Sequence, residues 1–317
     1  MKKKIALSVI FDENYVEPAL VTIFDLVRFA PADFDIFLVY MESSNAEVNT
    51  DITNLVTNAI NSISSTNKVS AIKFKSKIFD RFEKYHFTNS ILYKLILPEL
   101  LQHDYIVNID AGFLSGSEID KLFEYLLSVV AEPQFSSSCA VGSVCFPSPK
   151  DLPAELSVLK HNKLYPTGGI LLFNCENYRK SKLFDRLSSG YSLHKDQLVW
   201  AEQDLLCLIA EEGELHSLDL HGGILTENLS IQGYLQFESS IALSSTFMLY
   251  KVTGTLKPWK SWVFDPKKKF YLDRRESVMK NLNFSDSSVV LNNRFQVTHQ
   301  PLYRAFLSAF EQKLIDS

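Results

Sequence analysis

Apolar residues in this chain gather in short runs, separated by stretches in which they recur every three or four positions. Segments 4–11, 34–41, 69–75, 105–110, 139–146, 169–174 and 245–252 are rich in Val, Ile, Leu, Phe and Tyr. Consecutive apolar positions over so few residues predict strands buried on both faces. Residues 17–30 and 88–101 carry apolar side chains at helical spacing, the second as far as Pro98, and 117–130 opens at Ser117 with Asp120 in its first turn. Strands alternating with helices predict βαβ units and an α/β fold built on a mainly parallel sheet.

Two regions break this rhythm. Around 131–166 the chain turns to Ser, Pro and Lys, with Ser136 to Ser138, Pro147, Pro149 and Pro153, which predicts an irregular insertion over the active site rather than a second domain. The last fifty residues carry Lys267, Lys268, Lys269, Phe270 and Tyr271, then Arg274 and Arg275, followed by an amphipathic stretch at 300–315. Basic residues interleaved with aromatics suit a peripheral contact with anionic lipid, and equally a solvated helix face.

Composition narrows the classes. The chain has 317 residues, a formal net charge of −5, and 46% hydrophobic and 22% charged residues, as expected of a globular protein with a large core. An acidic chain with one short basic stretch is a poor nucleic-acid binder. Cys139, Cys145, Cys175 and Cys207 lie far apart without metal-site spacing, so buried reduced thiols are expected. The apolar run after Lys2-Lys3-Lys4 stops at Asp12 and Glu13, which reads as a first strand rather than a signal peptide. No run of 18 apolar residues is present, which places the protein in the cytoplasm, at most peripheral to the inner face of a membrane.

The chemistry concentrates where the helical stretch 88–101 leads into the fourth strand. Tyr93-Lys94-Leu95 is followed, after Pro98, by Tyr105-Ile106-Val107-Asn108-Ile109-Asp110-Ala111-Gly112. In an open parallel sheet, ligands sit beyond the carboxyl ends of the strands, so Asp110 falls at the edge of a binding crevice. The turn after strand one, Phe11-Asp12-Glu13-Asn14, lacks the G-x-G-x-x-G of dinucleotide-binding oxidoreductases.

Five collinear motifs over roughly residues 4 to 262 resemble glycosyltransferase family eight. Tyr93-Lys94-Leu95 through Asp110 is similar to the family's Tyr-x-Arg-Leu, a helix with Pro, and a strand ending Asp-x-Asp. Thr167-Gly168-Gly169-Ile170-Leu171-Leu172-Phe173-Asn174 resembles Asn-Ala-Gly-Val-Leu-Leu-Ile-Asn, with Tyr178-Arg179 for Trp-Arg. Glu202-Gln203-Asp204 resembles Asp-Gln-Asp. Lys251-Val252-Thr253-Gly254-Thr255-Leu256-Lys257-Pro258-Trp259 resembles His-Phe-x-Gly-x-x-Lys-Pro-Trp, and Phe11-Asp12-Glu13-Asn14-Tyr15 resembles the family's Asp-Asp-Asn-Tyr after the first strand.

The resemblance implies a GT-A fold over residues 1–262, with 263–317 as an extension, and a hexosyltransferase acting with retention. It implies UDP-glucose or UDP-galactose as donor and a glycan or glycolipid acceptor, as in bacterial lipopolysaccharide synthesis. It puts Glu202, Gln203 and Asp204 at the transferred sugar, and Asp12, Asn14, Tyr15, Lys94, Asp110, Thr167, Lys251, Gly254 and Lys257 at the donor. Cleaving a sugar–diphosphate bond develops positive charge on the ring and negative charge on the leaving group, which suits carboxylates beside the first and lysines beside the second.

Two departures stand out. Family members hold a divalent cation, such as Mn²⁺, through both Asp residues of Asp-x-Asp and the His of His-Phe-x-Gly, whereas this chain has Gly112 and Lys251 there. An ammonium does not ligate a metal, so the paired change predicts a site in which Lys251, with Lys94 and Lys257, supplies the positive charge and no metal is used. The alternatives are a rearranged metal site on Asp110 with Asp12, Glu13 or His299, and a degenerate member that binds nucleotide sugar or a partner without turnover.

Overall fold

The structure, a computed structural model, describes residues 3–42, 46–62, 68–79, 90–147, 164–220, 223–228, 248–253 and 268–281. Its centre is a seven-stranded sheet of β1 (Ile5–Phe11), β2 (Phe34–Met41), β3 (Val69–Phe74), β4 (Tyr105–Ile109), β6 (Val141–Pro147), β7 (Leu164–Asn174) and β8 (Leu215–Ser217). The spatial order is β3-β2-β1-β4-β7-β6-β8. Strands β1 to β4 run parallel, β7 is antiparallel to both β4 and β6, and β8 pairs parallel with β6. A second, three-stranded sheet joins β5 (Phe113–Ser115), β10 (Leu249–Thr253) and β9 (Ile224–Asn228) in the order β5-β10-β9.

Every residue of β1 is buried, because helices cover both faces of the sheet. Its odd residues Ile5, Leu7, Val9 and Phe11 pack with α1 (Val16–Val27), α2 (Ala46–Ser62) and α5 (Ile119–Ala131). The even residues Ala6 and Ile10 face the other layer: α3 (Ser90–Tyr93), a 3-10 turn (Lys94–Ile96), α4 (Leu97–Leu100), α7 (Cys175–Lys180), α8 (Leu183–His194) and α9 (Glu202–Ile209). This is a three-layer α/β fold of GT-A type.

The strand and helix expectations hold within a few residues, with three corrections. Segment 88–101 is not one helix: the 3-10 turn at Lys94 separates α3 from α4. The first residue before α5 is Glu118, and Ser117 provides no cap. The described part of 131–166 is ordered rather than irregular, comprising α6 (Pro133–Ser137), β6 and the start of β7, while 148–163 and 300–315 lie outside the described residues. The four cysteines are free and buried, as expected.

Helix α1 also fixes the smaller sheet. Thr22 Oγ1 accepts from the Gly112 N–H (2.8 Å) and donates to the Phe113 carbonyl (2.9 Å), and Asp25 Oδ2 accepts from the Ser115 N–H (2.5 Å). The basic stretch contributes to α10 (Lys268–Asn281), which packs on α1. Tyr271 is buried, Arg275 donates to Glu17 from Nε (2.8 Å) and Nη2 (3.1 Å), and Arg274 lies 3.6 Å from Asp25. These residues face inward, so this part of 267–275 does not support a lipid-docking role; Lys267 and the side chains of Lys268 to Phe270 lie outside the described residues. Among the described residues no helix is long and apolar enough to cross a membrane.

Candidate active site

Asp110 follows the last residue of β4, at the carboxyl end of the parallel strands, and its N–H donates to the Gly169 carbonyl of β7 (3.0 Å). Its two carboxylate oxygens accept from two different ammonium groups. Lys94 donates to Oδ1 at 2.7 Å and Lys251 to Oδ2 at 2.9 Å. Burial raises the Asp110 pKa, but Lys251 and then Lys94 outweigh it and hold the carboxyl below its ordinary value.

The two lysines differ in kind. Lys94 is 1% exposed, and its other acceptors are the Gly168 carbonyl (2.8 Å) and Glu202 Oε1 (3.2 Å). An ammonium has three hydrogens, so Lys94 is fully used inside the protein and carries no donor free for a ligand. Lys251, on β10 opposite Phe113 of β5, is 19% exposed and stands 4.7 Å above the Phe113 ring. One of its hydrogens goes to Asp110, and among the described residues the other two have no hydrogen-bond acceptor.

Glu202 opens α9 and is fully buried, not on a solvated helix face. Burial drives its carboxyl up to about 7, with Lys94 opposing and Asp110 adding to the rise. Its second oxygen, Oε2, has no hydrogen-bond partner among the described residues. Lys94, Lys251, Asp110 and Glu202 carry no net charge when all four are ionised. Protonating Glu202 leaves the cluster at +1, a charge that suits an anionic ligand.

Asp204 has a supporting place. It reaches back to the chain before the helix, accepting from the N–H groups of Val199 (2.6 Å) and Trp200 (2.7 Å) and from the Tyr165 hydroxyl (2.6 Å). It thereby helps hold Ala201 at φ 51°, ψ −113°, a conformation that a residue with a Cβ rarely adopts. Gln203 stands between the two acids, half-buried.

At the end of β1, Asp12 accepts from the Asn14 N–H (2.9 Å), Asn14 is exposed, and Tyr15 is half-buried. Burial, then the Asp12 and Asp110 carboxylates, raises the Tyr15 pKa. Thr167 accepts from Ser143 Oγ through its carbonyl (2.7 Å). Gly254 and Lys257 lie outside the described residues. Sequence reasoning missed Thr22, Phe113, Tyr165 and Gly168; only the doubled Gly168-Gly169 within an apolar strand hinted at a close approach.

Both Asp110 oxygens face ammonium groups, and among the described residues no three His, Cys, Asp or Glu side chains cluster as ligands. Gly112 has a φ of 97°, a conformation that would strain any residue with a Cβ.

The chain matches the family described as Glycosyl transferase family 8 over residues 6–263, most of its length. It belongs to glycosyltransferase family 8. The fold is similar to that of the galactosyltransferase LgtC, solved with donor and acceptor sugar analogs, with a TM-score of 0.62, 13% identity, 86% of this chain and 95% of LgtC covered. It also resembles the bifunctional glycosyltransferase WbbM (TM-score 0.58, 18% identity, 93% of this chain, 52% of WbbM). GlyE of Streptococcus pneumoniae is similar as well (TM-score 0.55, 15% identity, 94% of this chain, 64% of GlyE). No curated protein matches the sequence.

The protein is therefore a glycosyltransferase, and its Glu202 makes a stability prediction. The group titrates near 7 in the fold and at 4.5 as an ordinary glutamate, so the native state holds this proton more tightly. Stability from Glu202 is fully present below pH 4.5 and is lost as the pH rises through 7. The unfolding free energy of the wild type, relative to Glu202→Gln, should fall by about 2–3 kcal/mol between pH 4 and pH 8. Urea melts across that range check it, and a flat or rising difference rules the assignment out.

Proposed function

We propose that this family 8 glycosyltransferase transfers a hexose, from UDP-glucose or UDP-galactose, to a glycan or glycolipid acceptor with retention, and does so without a metal ion. The observation that carries the metal-free part is the Lys251 ammonium, 2.9 Å from Asp110 Oδ2, where the family pattern has a cation ligand. Its remaining hydrogens would donate to the diphosphate and stabilise the charge that grows there as the anomeric bond breaks. Lys257, after Gly254, is proposed to add a second positive charge to the same leaving group.

Beneath the sugar, Glu202 and Gln203 would face its hydroxyls and ring, Asp204 would position them, and Asp12, Asn14, Tyr15 and Thr167 would bind the nucleoside side of the donor. Support for Gln203 comes from LgtC, one solved form of which is an active-site mutant with a Gln replaced by Glu. A role in lipopolysaccharide or a related surface glycan, on the cytoplasmic side, fits this chemistry.

The test is turnover of a panel of nucleotide sugars in excess EDTA, run beside thermal shift with and without Mn²⁺. Transfer or donor hydrolysis should persist in EDTA, with one uridine donor preferred. Activity abolished by EDTA and restored by Mn²⁺ would overturn the metal-free reading. Binding without transfer or hydrolysis would favour a non-catalytic member.

A further inference from the structure

Gly168 lies on β7 with its hydrogen pointed at Glu202. A Cβ at this position would stand 1.6 Å from Glu202 Oε1, 2.6 Å from Cδ and 3.2 Å from Cγ. The carboxylate of Glu202 occupies the space a side chain at 168 would need. The carbonyl of Gly168 meanwhile accepts from Lys94 at 2.8 Å. One residue thus supplies both a partner for the buried lysine and the room in which the glutamate reaches that lysine.

What gives way when this room is filled is decided by the neighbours. The start of α9 is fixed by the bonds of Asp204 to the Val199 and Trp200 N–H groups, and β7 is fixed by its pairing with β4 and β6. The far end of the Glu202 side chain is the part left to move, and moving it breaks the 3.2 Å bond to Lys94.

A second, independent observation is Oε2 of Glu202, buried with no hydrogen-bond partner among the described residues, an unfavourable state until something donates to it.

We infer that Gly168 and Glu202 are a size-matched pair that positions the Glu202 carboxylate, one oxygen held by Lys94 and the other offered to a hydroxyl of the transferred sugar. Gly168 is therefore a positioning residue for the donor. The inference rests on the nucleotide-sugar reading above and deepens it.

A double-mutant cycle tests the pair. Wild type, Gly168→Ala, Glu202→Asp and the double variant are compared in melting temperature and in kcat and KM for the donor that the wild type turns over fastest. Displacing a positioned group by about an ångström lowers rate about a hundredfold, which is the loss expected of Gly168→Ala. The shorter Asp vacates the space, so the double variant should exceed the product of the two single losses at least tenfold, with much smaller coupling in melting temperature.

Losses that simply multiply would overturn the pair, as would coupling confined to melting temperature, which marks a purely structural fit. A wild type that turns over none of the donors defeats the functional reading by itself. An active wild type with multiplying losses defeats only the pair.

Discussion

Lys251→Ala is expected to lower kcat for sugar transfer by about a hundredfold to a thousandfold, the usual effect of removing one preorganised donor from a developing negative charge. Lys251 is the one ammonium of the described cluster with hydrogens left for a ligand, since all three on Lys94 are taken by Asp110, Gly168 and Glu202. Its loss should fall mainly on kcat, because the diphosphate carries most charge as it departs. The fold should tolerate the change: Lys251 is 19% exposed, and Asp110 keeps Lys94. Lys251→Arg retains the charge but exchanges a compact ammonium for a planar fork, and should recover part of the rate. Full activity in Lys251→Ala, measured in EDTA, would show that the cation of this site lies elsewhere.

The largest effect on stability is expected at Lys94. Lys94→Met leaves Glu202 buried without its ammonium partner and Asp110 with one ammonium instead of two. Removing one member of a buried ion pair is typically unfavourable by about 3–5 kcal/mol, because the remaining charge stays in a low-dielectric environment. A drop in melting temperature of roughly 5–8 °C follows for a chain of this size. The shift should be smaller at pH 5 than at pH 8, since Glu202, titrating near 7, is neutral at the lower value. Adding Glu202→Gln to Lys94→Met removes the stranded charge and should recover at least half of the loss. A Lys94→Met protein that melts like wild type at both pH values would show that the buried ion pair does not hold this site together.

Lysines 94 and 251 illustrate what was legible in the sequence. Each was picked out by residue type and by its place in a motif as a cation for the donor, and each lies on Asp110. Their division of labour was not legible. Nothing in Tyr93-Lys94-Leu95 says that Lys94 enters a 3-10 turn and is sealed beneath Asp110, because that follows from α3 and α4 packing on the even face of the sheet. The triplet at 202–204 was equally visible as a unit, yet alternate acids in it have opposite tasks, Asp204 bracing the chain and Glu202 entering the cluster.

The chain alone determined the alternation of strands and helices, the α/β class, the family, and Asp110 at a strand's carboxyl end. These depend on local periodicity and on motifs a few residues long, which survive in one dimension. Only the tertiary structure decided that Lys94 is internal and Lys251 accessible, that Gly168 makes room for Glu202, that Gly112 occupies a left-handed turn anchored by Thr22, and that Arg274 and Arg275 face α1. Each of these is a contact between residues tens to hundreds of positions apart. The sequence specifies such contacts only through packing of the whole sheet and its helices, so burial, and with it the charge and free hydrogens of each group, became readable only in three dimensions.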